Sequence, residues 1–227
     1  MIAGYKTYIS LLGSLTDGKE ILSSGMKQEI KRARLSIEHA KKGKNVCVIS
    51  SGDSGVYGMA GLVLELLKSG DANDLKLEIV PGIIAATAAA SLLGAPLMHD
   101  FAVISLSDLL TELDLIKFRI ESAAKADFVI ALYNPKSSKR ITPFKEACEI
   151  LLKYKSPSTP VGIVKNAYRN KQEVSLIDLK NLSHFENINM VTIIIVGNSK
   201  TYVKDKYMVT PRGYNIENAE CGVRNEE

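Results

Sequence analysis

The chain has 227 residues, 46% of them hydrophobic and 24% charged, which is enough to bury a sizeable core and, at roughly 150 residues per domain, to build one large domain or two small ones. No apolar run approaches the ~20 residues that cross a bilayer, and the first ten residues lack the regions of a signal peptide, so a soluble cytoplasmic protein is expected. The net charge of +4 comes from Lys and Arg spread along the chain without interleaved aromatics, which argues against a nucleic-acid surface and suits a small polyanionic ligand.

Cys47, Cys148 and Cys221 are far apart and show no CxxC spacing, and His39, His99 and His184 are equally scattered. These positions predict two core thiols and one loose tail thiol, no disulfide framework, and no metal held by side chains.

In chain order, residues 46–49 read as a strand, followed by the loop SSGDSG and a helix over 56–67 that Ser69 and Gly70 end. A second strand is predicted over 75–80, closed by Pro81 and Gly82, and then a helix of small residues over 83–93, closed by Gly94 and Pro96. Residues 101–106 read as a third strand and 108–126 as a helix, with Leu109, Leu113, Ile116 and Ile120 at helical spacing. A boundary near residue 107 divides the chain into an α/β domain over 1–107 and a second one over 108–227. Beyond it come a strand at 128–132, a helix at 142–154, and strands at 161–164, 174–176, 191–196 and 207–210, which make a mixed sheet. The polar tail over 215–227 is expected to fray.

Ligands of open α/β sheets collect where strands end in loops that let backbone approach them. Gly52, Asp53, Gly55 and Gly58 stand at such a place, without P-loop or dinucleotide spacing, and fit either a ligand contact or a plain turn with Asp53 as a helix cap. Leu132, Tyr133, Asn134 and Pro135 end another strand and precede Lys136, Lys139 and Arg140, which read either as ligand cations or as a solvated turn. Lys165, Asn166 and Arg169, and Thr210, Pro211, Arg212 and Gly213, follow two further strands. His99, Asp100 and Asp108 flank the 101–106 strand and are the candidates for acid–base work, with Asp108 also readable as a cap.

The segments SSGDSGVYGM, VPGIIAATAAASLLGAPLMHDFAVISLSDLL, DFVIALYNPKSSKR, PVGIVKNAYR, VTIIIVGNS and MVTPRGY, in that order, resemble the precorrin-3B or cobalt-factor III C(17)-methyltransferases, within the tetrapyrrole methylase class. The resemblance implies two α/β domains of the tetrapyrrole methylase type with an active-site cleft between them, a homodimer, and S-adenosylmethionine as cofactor. It implies that Gly52, Asp53, Gly55, Val56, Tyr57, Thr87, Ala88, Leu132, Tyr133, Asn166, Ala167, Pro211 and Arg212 line the cofactor site. Position 54 is Ser where many relatives have Pro. Family members also carry a strand and a GxGPG loop about two dozen residues before a segment like Ile2 to Tyr8, and these are absent here.

The activity implied is methylation at C-17 of the macrocycle with ring contraction, in cobalamin synthesis. Its substrate carries acetate and propionate groups, so Lys6, Lys136, Lys139, Arg140 and Arg169, with Arg212, are the expected carboxylate partners. His99, Asp100 or Asp108 would assist the proton movement of contraction. Two rival readings remain at this point: methylation at another position of the macrocycle, and an inactive truncated relic that still binds the cofactor.

Overall fold

The computed structural model describes residues 1–215, so Cys221 and the tail predicted to fray from residue 216 on lie outside the described residues. The chain divides into two compact units, Met1–Ile84 and a second that begins at Ala85. Segment 85–107, read from sequence with the first domain, groups with the second unit, because its strand pairs there in register, Phe101 opposite Val129 and Ser105 opposite Tyr133.

The first unit holds β1 (Ile2–Tyr5), α1 (Lys6–Ser10), β2 (Ile21–Ser24), α2 (Glu29–Lys41), β3 (Cys47–Val48), α3 (Ala60–Leu66) and α4 (Asp71–Asp74). Its strands are all parallel in the order β2-β1-β3, with Ile2 opposite both Ile21 and Cys47. Ala33 of α2 packs with Met59 and Val63 of α3, and Ile37, Leu62 and Leu66 flank that contact. The strand predicted over 75–80 does not form: Leu77, Ile79 and Val80 are exposed, and no described strand pairs with them. A β-favouring sequence becomes a strand only when a neighbour supplies its ladder. For the same reason Cys47, predicted in the core, is exposed on an edge strand, whereas Cys148 is buried as predicted and burial pushes its thiol up to about 12.

The second unit begins with α5 (Ala85–Leu93) and β4 (Gly94–Ala95), followed by β5 (Phe101–Ser105), α6 (Leu113–Lys125), β6 (Val129–Tyr133) and α7 (Thr142–Tyr154). Then come β7 (Pro160–Lys165), β8 (Glu173–Asp178), β9 (Thr192–Val196), β10 (Tyr202–Lys204) and β11 (Tyr207–Val209). Five strands form the mixed sheet β5-β6-β9-β7-β8, in which β5 and β6 are parallel and the other neighbours antiparallel. A small sheet, β10-β11-β4, stands beside it.

Residues alternate between the two faces of a strand. On one face Ile130, Leu132, Val161, Ile163, Ile194 and Val196 pack with Ile116, Ile120, Phe144 and Leu151 of α6 and α7. On the other, Gly162 of β7 meets α5 so closely that a Cβ there would stand 2.3 Å from Leu93 Cδ1. Leu93 is fully buried and has nowhere to turn. Gly162→Ala is therefore expected to lower stability by about 1–3 kcal/mol through overpacking. Adding Leu93→Ala should make the two costs clearly non-additive in denaturant melts, and simple additivity would show that the two positions do not compete for one space.

Candidate functional site

In the first unit the loop between β3 and α3 closes on itself around one carboxylate. Asp53 accepts hydrogen bonds from the N–H groups of Gly82 (2.8 Å) and Gly55 (2.7 Å), with a further one from Val56. Ser54 Oγ donates to the Val80 carbonyl (3.1 Å), and Ser50 Oγ accepts from the Met59 N–H (3.0 Å). The turn at residue 82 needs glycine, since a Cβ would lie 2.3 Å from the Gly52 carbonyl oxygen. Asp53 thus staples the glycine loop to the Pro81–Gly82 turn and does not cap α3, whose N-cap is Met59. Tyr57, 58% exposed, is held at φ +53°, a left-handed conformation that costs a non-glycine residue free energy and points to a functional constraint.

In the second unit the end of β6 and the loop after β7 meet α5. Tyr133, at the end of β6, accepts the Ala86 N–H on its hydroxyl (2.8 Å), which sets it against the helix turn that carries Thr87 and Ala88. Tyr168, from the loop after β7, exchanges a hydroxyl hydrogen bond with Ser91 of α5 (2.9 Å). That loop is folded by Asn166, whose side chain donates to the Lys171 carbonyl (3.2 Å), and by Arg169 N–H on the Asn166 carbonyl (2.9 Å). Asn134 and Asn166 sit at φ +49° and +52°, which Asn tolerates better than most residues. Leu132 is buried and Ala167 half-buried beside them. Ser91 and Tyr168 were not singled out from sequence, because a serine in a small-residue helix and a tyrosine in a turn carry no motif.

The predicted cations have different occupations. Arg140 donates to the carbonyls of Leu106 and Asn134 and to Met190 Sδ, and its Nε stands 3.7 Å from Asp108. It clamps the ends of β5 and β6 and is only 12% exposed. Asp108 answers that guanidinium and caps no helix, since α6 starts at Leu113 after an N-cap at Glu112. Lys136 reaches the Phe185 carbonyl (3.4 Å) and lies over the Phe144 ring. Lys139 and Arg169 are exposed in the same unit, and Lys6 is exposed at the start of α1 in the first.

His99 and Asp100 lie at the opposite end of β5 from Asp108. The five residues of β5 span roughly 16 Å at about 3.3 Å per residue, so the three candidates do not act on one atom. His99 and Asp100 instead line a cavity of about 590 Å³ with Leu97, Met98, Phe128 and Arg212. Arg212 arrives there after β11, where Thr210 N–H bonds the Ala95 carbonyl (3.1 Å) and Pro211 leads on. Phe128 is fixed by Lys155, a buried ammonium that donates to its carbonyl (2.9 Å) and whose pKa burial lowers. Among the described residues no group of three or more His, Cys, Asp or Glu converges to hold a metal ion, and no helix is long and apolar enough to cross a membrane.

The sequence profile of the tetrapyrrole (corrin/porphyrin) methylases matches residues 7–183. The chain belongs to that family. Among the tetrapyrrole methylases it is similar to the cobalt-factor III methyltransferase of Priestia megaterium, 54% identical over 217 residues that make up 94% of this chain and 40% of that protein. It is also similar to a probable cobalt-factor III C(17)-methyltransferase of Salmonella typhimurium, 50% identical over 216 residues, 95% of this chain and 89% of that one. The chain thus spans less than half of the first relative and most of the second. The crystal structure of the methyltransferase CobJ superposes with a TM-score of 0.84 at 33% identity, covering 92% of this chain and 87% of that one.

Asp53 yields a pH prediction. Its amide donors, Gly82 first, hold its carboxyl below the usual aspartate value of about 3.9. The stabilisation of a lowered carboxyl is complete where unfolded aspartate is ionised and is lost as pH falls through the folded value. Asp53→Asn should therefore melt below the parent protein at pH 6, and the gap should narrow below pH ~4. A gap that stays constant down to pH ~3 would mean that the charge of Asp53 does not hold the loop.

Proposed function

We propose that the chain is an S-adenosylmethionine-dependent C-methyltransferase acting at C-17 of a cobalamin precursor, cobalt-factor III or precorrin-3B, with contraction of the ring. The observation that carries this reading is the 50% identity to the Salmonella relative over nearly the whole of both chains. Methylation at another ring position and an inactive relic have no comparable support.

When bound, S-adenosylmethionine supplies an electrophilic methyl group on a sulfonium. Carbon methylation by that group needs alignment and exclusion of water more than a strong base. The chain's own groups fit such a ligand: the Asp53-centred loop presents backbone from Gly52, Gly55 and Val56, and Tyr57 offers an exposed ring at its end. Thr87, Ala88, Leu132, Tyr133, Asn166 and Ala167 around α5, with Pro211 and Arg212, are assigned to the same ligand. Lys6, Lys136, Lys139 and Arg169 meet substrate carboxylates as point charges or forks. Arg140 and Asp108 position the strand ends. Contraction moves protons, and His99 beside Asp100 and Arg212 is the group we assign to that movement. The enzyme works as a homodimer in this reading, which the exposed Leu109, Leu110, Leu115 and Phe118 support.

Calorimetry with S-adenosylhomocysteine should give micromolar binding, and Tyr57→Ala should weaken it about tenfold, within the ~1–3 kcal/mol of a base stacked on an aromatic ring. Incubation with cobalt-factor III should add one methyl mass. In His99→Ala the methyl should still be added while contraction fails. No binding and no mass gain by the unaltered protein would sink the reading.

A further inference from the structure

Arg32 of α2 is 3% exposed and carries a charge that a protein cannot neutralise by losing a proton. Its Nη1 donates to Ser24 Oγ at the end of β2, and its Nη2 reaches Met59 Sδ, a weak acceptor, at 3.5 Å. Its Nε is buried with no acceptor among the described residues. No carboxylate stands within ion-pair distance of it there either. Glu29, one helical turn earlier, accepts the Lys27 N–H (3.3 Å). The N-terminus of α2 bears no side-chain cap, so its exposed N–H groups add partial positive charge nearby.

A buried cation without a counter-ion opposes folding, and a guanidinium is shaped for the two oxygens of a carboxylate. We infer that Arg32, with Ser24, binds a carboxylate of a ligand at the carboxyl end of β2, beside Met59 at the close of the glycine loop. This rests on the function proposed above, which offers two sources of that group: the amino-acid end of S-adenosylmethionine, or an acetate or propionate of the macrocycle. Sequence alone did not single out Arg32, because an arginine on an amphipathic helix ordinarily faces water.

The test compares Arg32→Met, which keeps length and removes charge, with Arg32→Lys, which keeps charge. A ligand-binding role predicts that Arg32→Met melts at or above the unaltered protein without ligand, because an unpaired buried charge has gone. In calorimetry it should bind S-adenosylhomocysteine at least tenfold more weakly while 5′-methylthioadenosine, which lacks the carboxylate, binds as before; this outcome assigns the cofactor. Unchanged S-adenosylhomocysteine binding with a tenfold higher KM for cobalt-factor III at constant kcat assigns the macrocycle instead. Arg32→Lys should recover part of either loss. A lower melting point with both affinities unchanged, or a loss that lysine does not recover at all, overturns the inference. Failure of the unaltered protein to bind either ligand would instead refute the proposed function, and the carboxylate site with it.

Discussion

Helix α5 lies directly on β7 because position 162 has no side chain, and the Leu93 methyl groups occupy the space that a Cβ would take. Its other end is held by the Tyr133 hydroxyl on the Ala86 N–H and its middle by Ser91 against Tyr168. The end of β6 and the loop after β7 are thereby brought to one short helix. The strands themselves are rigid supports: every residue of β6 and β9 is buried, so neither can shift without exposing apolar surface.

The first unit solves a different problem, that of holding a loop rich in glycine in one shape. A single carboxylate takes up amide donors from both sides of the loop, and the local hydroxyls of Ser50 and Ser54 complete the staple. Asp53 is an acid whose charge is answered by backbone. Arg32, not far along the same network through Met59, is a cation whose charge no described carboxylate answers. The contrast separates a group that builds the loop from one inferred to bind a ligand carboxylate.

Arg140 shows how a plausible binding residue becomes part of the frame. Its guanidinium ties Leu106 and Asn134, which end adjacent parallel strands, and takes Asp108 as counter-ion. The clamp holds the strand ends at the separation that Ser105 Oγ and Asn134 Nδ2 need for their own bond at 3.0 Å. Lys139, the residue just before Arg140, is exposed and has no such engagement among the described residues.

Much of this was legible in the residues. Helix 142–154 and the strands near 101, 129, 161 and 193 stand where apolar periodicity and short β-branched runs placed them, because those signals are local and strong. The glycine loop and the order of its companion segments carried the family likeness by themselves. What sequence did not decide depends on neighbours distant in the chain. Whether 75–80 becomes a strand depends on a partner edge, and whether Cys47 is buried depends on the same edge. That His99 and Asp108 stand at opposite ends of β5, that Arg140 is engaged by carbonyls and that Arg32 has no ion pair among the described residues follow only from packing, since charge, hydrogen bonding and burial are set by what the fold brings alongside each side chain.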